Sequence, residues 1–391
     1  MNLTGTAAVA AQVGLVTAGA PWLAGLMRQV RARLEGRAGP GIGQPWRDLR
    51  KQLRKQPVTA TGTGPAFRTA PLVLVATALV VTALVPLAST RTPVSGHADL
   101  IVVVALLALG TVALALAGLD TGTAFGGMGA SREMTVAALV EPTLLMSVFA
   151  LSIPAGSTNL ADIVSGAVHD PGRLATPTGL LAAVALLAVT VAETGRLPVD
   201  NPSTHLELTM IHEAMVLEYS GPDLALIELG AQLRLTVLLG LLAALFTPWG
   251  ITTGTGWAAL ALALVLLAAK VALLGSVLAA AEVFLAKIRL FRVPELLAGA
   301  SELAIARAGF AAGLGWAVTV ALVLVLVAFA ALTGRSARML LGPPPEPATP
   351  VRFGASVWLP LLAGLLACAA LGITTAPLAD LLAAAASIGG H

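Results

Sequence analysis

Ala, Leu and Val fall along the chain in blocks of about twenty positions with hardly a charge inside them. Shorter stretches rich in Arg, Lys, Glu, Gly and Pro separate the blocks. Wound as α-helix, a block of that length matches the hydrocarbon thickness of a bilayer. The pattern predicts spans near residues 6–27, 70–88, 98–119, 136–154, 178–194, 223–246, 257–283 and 309–333, with a ninth near 355–376 and a short apolar segment at 377–388. The expected fold is therefore all-α and polytopic. It has an eight-helix core over residues 1–333, a Pro-rich linker over 334–354 that includes GPPPEPATP, and a C-terminal transmembrane extension over 355–391. No internal repeat is evident, which speaks against an inverted-repeat transporter.

The polar stretches give the blocks a direction. Residues 1–27 carry no charge, and basic residues begin at Arg28, so the order is the reverse of a cleavable signal peptide. By the positive-inside rule the N-terminus lies outside and the first long loop inside. That loop, with Arg28, Arg31, Arg33, Arg37, Arg47, Arg50, Lys51, Arg54, Lys55 and Arg68, holds ten of the 23 Lys and Arg residues. The loops near 120–135, 195–222 and 284–308 then also fall inside. Those near 89–97, 155–177 and 247–256 fall outside, with only Arg91 and Arg173 between them. The assignment places the chain in a cell membrane.

Composition agrees. The chain is 57% hydrophobic and 11% charged, against about a quarter charged in soluble domains. Its lone cysteine, Cys368, excludes an internal disulfide framework and a multi-cysteine metal or iron–sulfur site. The net charge of +3 is set by topology and implies no nucleic-acid partner.

Inside the first loop, the turn GPGIGQP leads into WRDLRKQLRK. Trp46, Leu49 and Leu53 recur at spacings of three and four against Arg47, Arg50, Lys51, Arg54 and Lys55, which predicts a short amphipathic helix on the membrane surface. Its charge suits either anionic lipid or a docking cytoplasmic partner.

The acids are concentrated elsewhere. Glu193, Asp200, Glu207, Glu213, Glu218 and Asp223 place six of the 20 acidic residues within residues 193–223, between two apolar blocks. Carboxylates so placed are costly and point to function. Pro198 and Pro202 prevent continuation of the preceding helix, and Ser203 or Thr204 is suited to cap a new one. His205 and His212 share a face without the H-E-x-x-H spacing, and no metal site is expected. Glu141, followed by Pro142, lies inside the fourth span and reads as part of an ion path or as half of a salt bridge. Glu133 beside Arg132 reads as solvated or favoured by the helix dipole. Glu228 and Arg234 lie inside the sixth span and Lys270 midway along the seventh; each cation requires a partner there.

The run Ala192-Glu193-Thr194-Gly195-Arg196-Leu197-Pro198-Val199-Asp200-Asn201-Pro202 resembles the fifth-to-sixth helix loop of subunit 1 of respiratory complex I. Glu218-Tyr219-Ser220-Gly221 resembles the end of that loop, and Gly39, Pro40, Gln44, Pro45 and Asp48 resemble its first loop. REMTVAALVEPTLL, DNPSTHLELTMIHEAMVLEYSGPDLALIEL and KIRLFRVPE are more similar to the homologous membrane subunit of group 4 NiFe hydrogenases. That subunit is the subunit 4 type of formate hydrogenlyase and the component C type of hydrogenase-4. The resemblance covers residues 5–333.

The resemblance implies an oxidoreductase subunit that is not catalytic alone. It would anchor an electron-transfer arm to antiporter-like membrane subunits and couple redox chemistry to proton translocation. Glu141, Glu193, Asp200, Glu207, Glu213, Glu218, Asp223 and Glu228 would form the proton path, with Arg196 holding the loop by ion pairing. No cofactor is expected in this chain. The NiFe centre and iron–sulfur clusters would sit in partner subunits, a NiFe large subunit and an iron–sulfur small subunit. In complex I the same cavity receives quinone, whereas in the hydrogenase branch electrons end at protons. A quinone-site subunit of an NADH-quinone oxidoreductase and a stand-alone ion-coupled transporter are the alternatives. A purely structural anchor would tolerate loss of the acids.

Overall fold

The computed structural model of the protein describes residues 3–60, 62–170, 172, 176–196, 210–254 and 256–284. The expected helix at 309–333, the Pro-rich linker and the C-terminal extension lie outside the described residues, as do Asp200, Glu207 and Cys368. Within the described residues there are ten α-helices and no β-strand, only isolated bridges.

Seven of the helices are apolar blocks: α1 (Leu3–Leu34), α3 (Pro65–Leu84), α4 (Leu100–Asp120), α5 (Ala124–Ala155), α7 (Pro177–Glu193), α9 (Gly221–Phe246) and α10 (Trp257–Phe284). All but α7 are long and apolar enough to cross a membrane. Between them lie α2 (Gln44–Leu53), α6 (Leu160–His169) and α8 (His212–Val216). Every expected span that falls on described residues is a helix.

Their ends follow local chemistry. Asp99, Thr123, Asn159 and Thr176 cap α4, α5, α6 and α7 by accepting from the N–H groups of Ile101, Gly126, Ala161 and Gly179. Gly156 ends α5 in the left-handed conformation at φ +65°.

Two boundaries differ from the sequence pattern. Helix α5 begins at Ala124, so the inside loop expected near 120–135 shrinks to a three-residue turn. The glycines of AFGGMGAS weaken helix propensity, yet tertiary packing overrides it. A side chain on Gly129 would come within 2.8 Å of the Ala214 Cβ, so glycine lets α5 lie directly against α8. The outer loop near 155–177 also contains a further helix, α6.

Helix α9 is the hub. It packs against α1, α2, α3, α6, α7 and α10, and Leu233, Leu238, Leu239 and Leu245 are fully buried in it. Small residues permit these approaches, as they do between helices in lipid. A Cβ on Gly230 would stand 2.8 Å from Leu74 of α3. Helix α10 is peripheral, with Leu262, Val265, Leu273 and Val277 exposed.

The two ends of the bundle are tied differently. At the end holding the N-terminus of α1, backbone bonds stitch three loops together. Thr90 N–H donates to Thr252 O (3.2 Å), Thr252 N–H to Ala88 O (3.0 Å), and Leu160 N–H to Ala98 O (2.9 Å). Buried Gln12 completes this knot, donating to Thr82 O (2.6 Å) and Val85 O (2.8 Å) and accepting from Ala88 N–H (3.0 Å).

The opposite end is tied by side chains that bond the backbone at the start of α3. Tyr219 donates to Phe67 O (2.6 Å) and stacks on the Phe67 ring at 3.9 Å. Burial and the carboxylates of Asp223 and Asp120 push the Tyr219 phenol well above its usual pKa, which keeps it a donor. Asp120 accepts from the N–H groups of Gly64 and Phe67. The stretches with the most charge in the sequence thus meet at one end.

Candidate functional site

Helix α7 is only 17 residues long, about 25 Å of rise. Glu193 therefore ends it within the bundle rather than at the surface. There it forms a buried ion pair with Arg234 of α9, the side chains being 4% and 9% exposed. Arg234 also donates to Leu107 O at 2.9 Å and to the Thr111 hydroxyl, both on α4. Thr111 lies roughly 13 Å before the end of α4, which sets the depth of the pair. Glu133 and Glu141 of α5 act electrostatically on the same guanidinium. One carboxylate, from α7, thus contacts the cation of α9, and two from α5 act on it through their charge.

A second cluster lies nearer the basic end. Glu282, in the last turn of α10 with its side chain fully buried, bridges two arginines: Arg31 of α1 and Arg196, whose guanidinium lies 3.0 Å away. Their side chains are 31% and 20% exposed. Burial, together with Arg31 and Arg28, lowers the Arg196 pKa to about 10, which leaves it charged at neutral pH. Arg28 itself faces Asp48 of α2 at 3.8 Å.

The segment between the clusters is short and fixed. Gly195 N–H donates to Ala192 O (3.2 Å) and Arg196 N–H to Val191 O (3.0 Å), with Gly195 at φ +56°. This is a Schellman closure, and it needs a residue that tolerates positive φ. Glu193 and Arg196 therefore project from one rigid helix end into the two clusters.

The remaining candidates are more dispersed. Glu228, half-buried, accepts from Gln52 Nε2 of α2 at 3.0 Å. Asp223 lies in the first turn of α9, Glu218 is half-buried and Glu213 is exposed. Asp200 and Glu207 lie outside the described residues. Arg47, Arg50 and Lys51 on α2, and Arg54 and Lys55 just past its end, are exposed, while Leu49 is buried against the bundle and Trp46 and Leu53 stay exposed. Lys270 meets backbone oxygens in place of a carboxylate: its ammonium donates to Thr247 O and Trp249 O where α9 ends. Among the described residues no three His, Cys, Asp or Glu side chains come together as a metal site.

Sequence reasoning missed Glu282, Thr111 and the action of the Glu133 charge on Arg234. Glu282 carried a readable signal, an acid in the last turn of an apolar block. Thr111 had none, since hydroxyls within lipid-facing helices commonly bond their own backbone. An apolar cavity of about 260 Å³ opens between α1, α9 and α10 beneath Ile42, and no charged residue lines it. The charged clusters and this cavity are separate features.

Residues 6–331 match the family described as NADH dehydrogenase, which is most of the chain. The chain belongs to the NADH dehydrogenase family. Within it, hydrogenase-4 component C of Escherichia coli (strain K12) is 39% identical over 68% of this chain and 83% of that protein. Formate hydrogenlyase subunit 4 of the same organism is 35% identical over 71% of this chain and 89% of its own. An H-type subunit of the NADH-quinone oxidoreductase of Syntrophobacter fumaroxidans is 31% identical over 58% of this chain and 72% of that protein. A chain of the membrane-bound sulfane sulfur reductase, an archaeal respiratory membrane complex, shares the fold at a TM-score of 0.62. It is 20% identical, over 76% of this chain and 98% of its own. With the apolar helices, these likenesses make this family member a multi-pass membrane subunit of a complex I-related assembly.

Proposed function

We propose that this subunit anchors the electron-transfer arm of a hydrogenase-type complex and couples its redox chemistry to proton translocation through buried carboxylates. The observation that carries the reading is the buried contact of Glu193 with Arg234, with Thr111 completing the shell and Glu133 and Glu141 acting on the same guanidinium through their charge. Several acids sharing one cation can exchange a proton when a nearby charge or a helix end shifts. Asp200, Glu207, Glu213, Glu218, Asp223 and Glu228 would continue the path toward the arm. Arg47, Arg50, Lys51, Arg54 and Lys55 would receive the arm, and Gln52–Glu228 supports this by linking the basic helix directly to an acid of the path.

The partners in this reading are a NiFe large subunit and an iron–sulfur small subunit, which hold the redox centres, together with antiporter-like membrane subunits. The N-terminus lies outside and the basic end faces the cytoplasm, in keeping with the concentration of Arg and Lys there.

The test uses the intact complex in membranes. Glu→Gln at Glu193, Glu207, Glu218 and Glu228 should lower proton uptake relative to hydrogen evolution, and unchanged coupling in all four variants rejects the path. Changing Arg50, Lys51, Arg54 and Lys55 to Gln should release the soluble arm on purification in mild detergent. Co-purification of an NADH-oxidising arm instead would move the assignment to complex I.

A further inference from the structure

Glu282 has no place in the acid path just described, yet it is among the most deeply buried charges in the described residues. Its bond to Arg196 connects α10 to the closed end of α7. Arg196 follows Glu193 by three residues, and the intervening turn is fixed by three bonds. Thr194 Oγ1 donates to Thr190 O (2.6 Å), Gly195 N–H to Ala192 O, and Arg196 N–H to Val191 O. A displacement of the Arg196 end must therefore carry Glu193 with it. The position of Glu282 is itself set by Arg31 on α1.

We propose that Glu282 is a positioning residue for Glu193. By holding Arg196 it fixes the capped end of α7 and so keeps the Glu193 carboxylate on Arg234. Without the Glu282 charge, the neighbours left to Arg196 within this cluster are the cations Arg31 and Arg28. Attraction would become repulsion, and the helix end would swing toward water. At the other end of the lever, Glu193 contacts Arg234 of α9 and accepts from the Thr111 hydroxyl of α4. A shift of about an ångström there would spoil that geometry.

The functional arm of the test rests on the coupling reading. In the intact complex, Glu282→Gln and Arg196→Gln should each leave the subunit assembled and hydrogen evolution active, while protons moved per electron fall by about threefold. In a Glu193→Gln background neither change should lower that ratio further, because both act through Glu193. A purely structural role for Glu282 would cost assembly or heat stability and leave the ratio of the assembled complex untouched. An assembled Glu282→Gln complex with an unchanged ratio, in a system where Glu193→Gln lowers it, overturns the inference. So does an equal loss with and without Glu193. If Glu282→Gln does not assemble, Arg196→Gln removes the same bond while leaving Glu282 paired with Arg31. If Glu193→Gln has no effect on the ratio, the coupling reading fails. Positioning is then decided by heat stability: the interaction between Glu193→Gln and Arg234→Gln in a double-mutant cycle should shrink when Glu282→Gln or Arg196→Gln is added, and an unshrunken interaction rejects the inference.

Discussion

At Arg234 one guanidinium contacts Glu193 and lies in the field of Glu133 and Glu141, whereas around Glu282 the guanidiniums of Arg31 and Arg196 share one carboxylate. The clusters lie at either side of the same helix end, and each contains a direct ion pair buried on at least one side. What separates them is the sign of the surplus. An excess of acids can be relieved by binding a proton. An excess of arginines has no such relief, because guanidinium keeps its charge. The first arrangement suits proton exchange and the second suits a clamp. The difference follows from side-chain chemistry, since both sites are made of the same two residue types.

The most damaging way to break this contrast is Arg234→Gln. It leaves Glu193 buried without its cation and in the field of two further acids, and should destabilise the protein by about 3–5 kcal/mol. Loss of the folded subunit on size-exclusion chromatography in mild detergent measures this. Glu282→Gln should cost less, about 1–3 kcal/mol, because Arg31 and Arg196 keep partial access to water. A smaller fall in melting temperature than for Arg234→Gln is the check.

Gln12→Leu serves as a neutral comparison. Its three buried bonds at the far end involve no charge, so their loss should lower stability by about 1–3 kcal/mol and leave protons per electron unchanged. Thr111→Val is the mildest, about 1 kcal/mol, since Arg234 retains Glu193 and Leu107 O. Coupling should nevertheless respond to Thr111→Val more than to Gln12→Leu, which proton uptake at matched turnover can resolve.

The architecture was legible because long apolar blocks leave the backbone few choices in lipid. The amphipathic spacing of Trp46, Leu49 and Leu53 likewise located α2 to within two residues. The start of α5 was not legible, because Gly126, Gly127 and Gly129 read locally as a loop and only contact with α8 makes them helical. The partner that Lys270 requires was not legible either, because it is supplied by the backbone oxygens of Thr247 and Trp249, which carry no sequence signal. Glu133 looked like an N-terminal helix acid until α5 proved to begin two turns earlier, which set it inside the helix, where its charge acts on Arg234.

The sequence by itself determined that this protein is a helical bundle built for a membrane, that its charges gather in two stretches, and that Glu193 and Arg234 require partners. These follow from the cost of exposing backbone or charge to hydrocarbon, which local composition already encodes. The tertiary structure decided which charges meet. Arg31, Arg196 and Glu282 lie in three distant parts of the chain, and no spacing rule connects them. Their pairing, and the opposite surplus of charge around Arg234, depends on how far each helix runs before it ends.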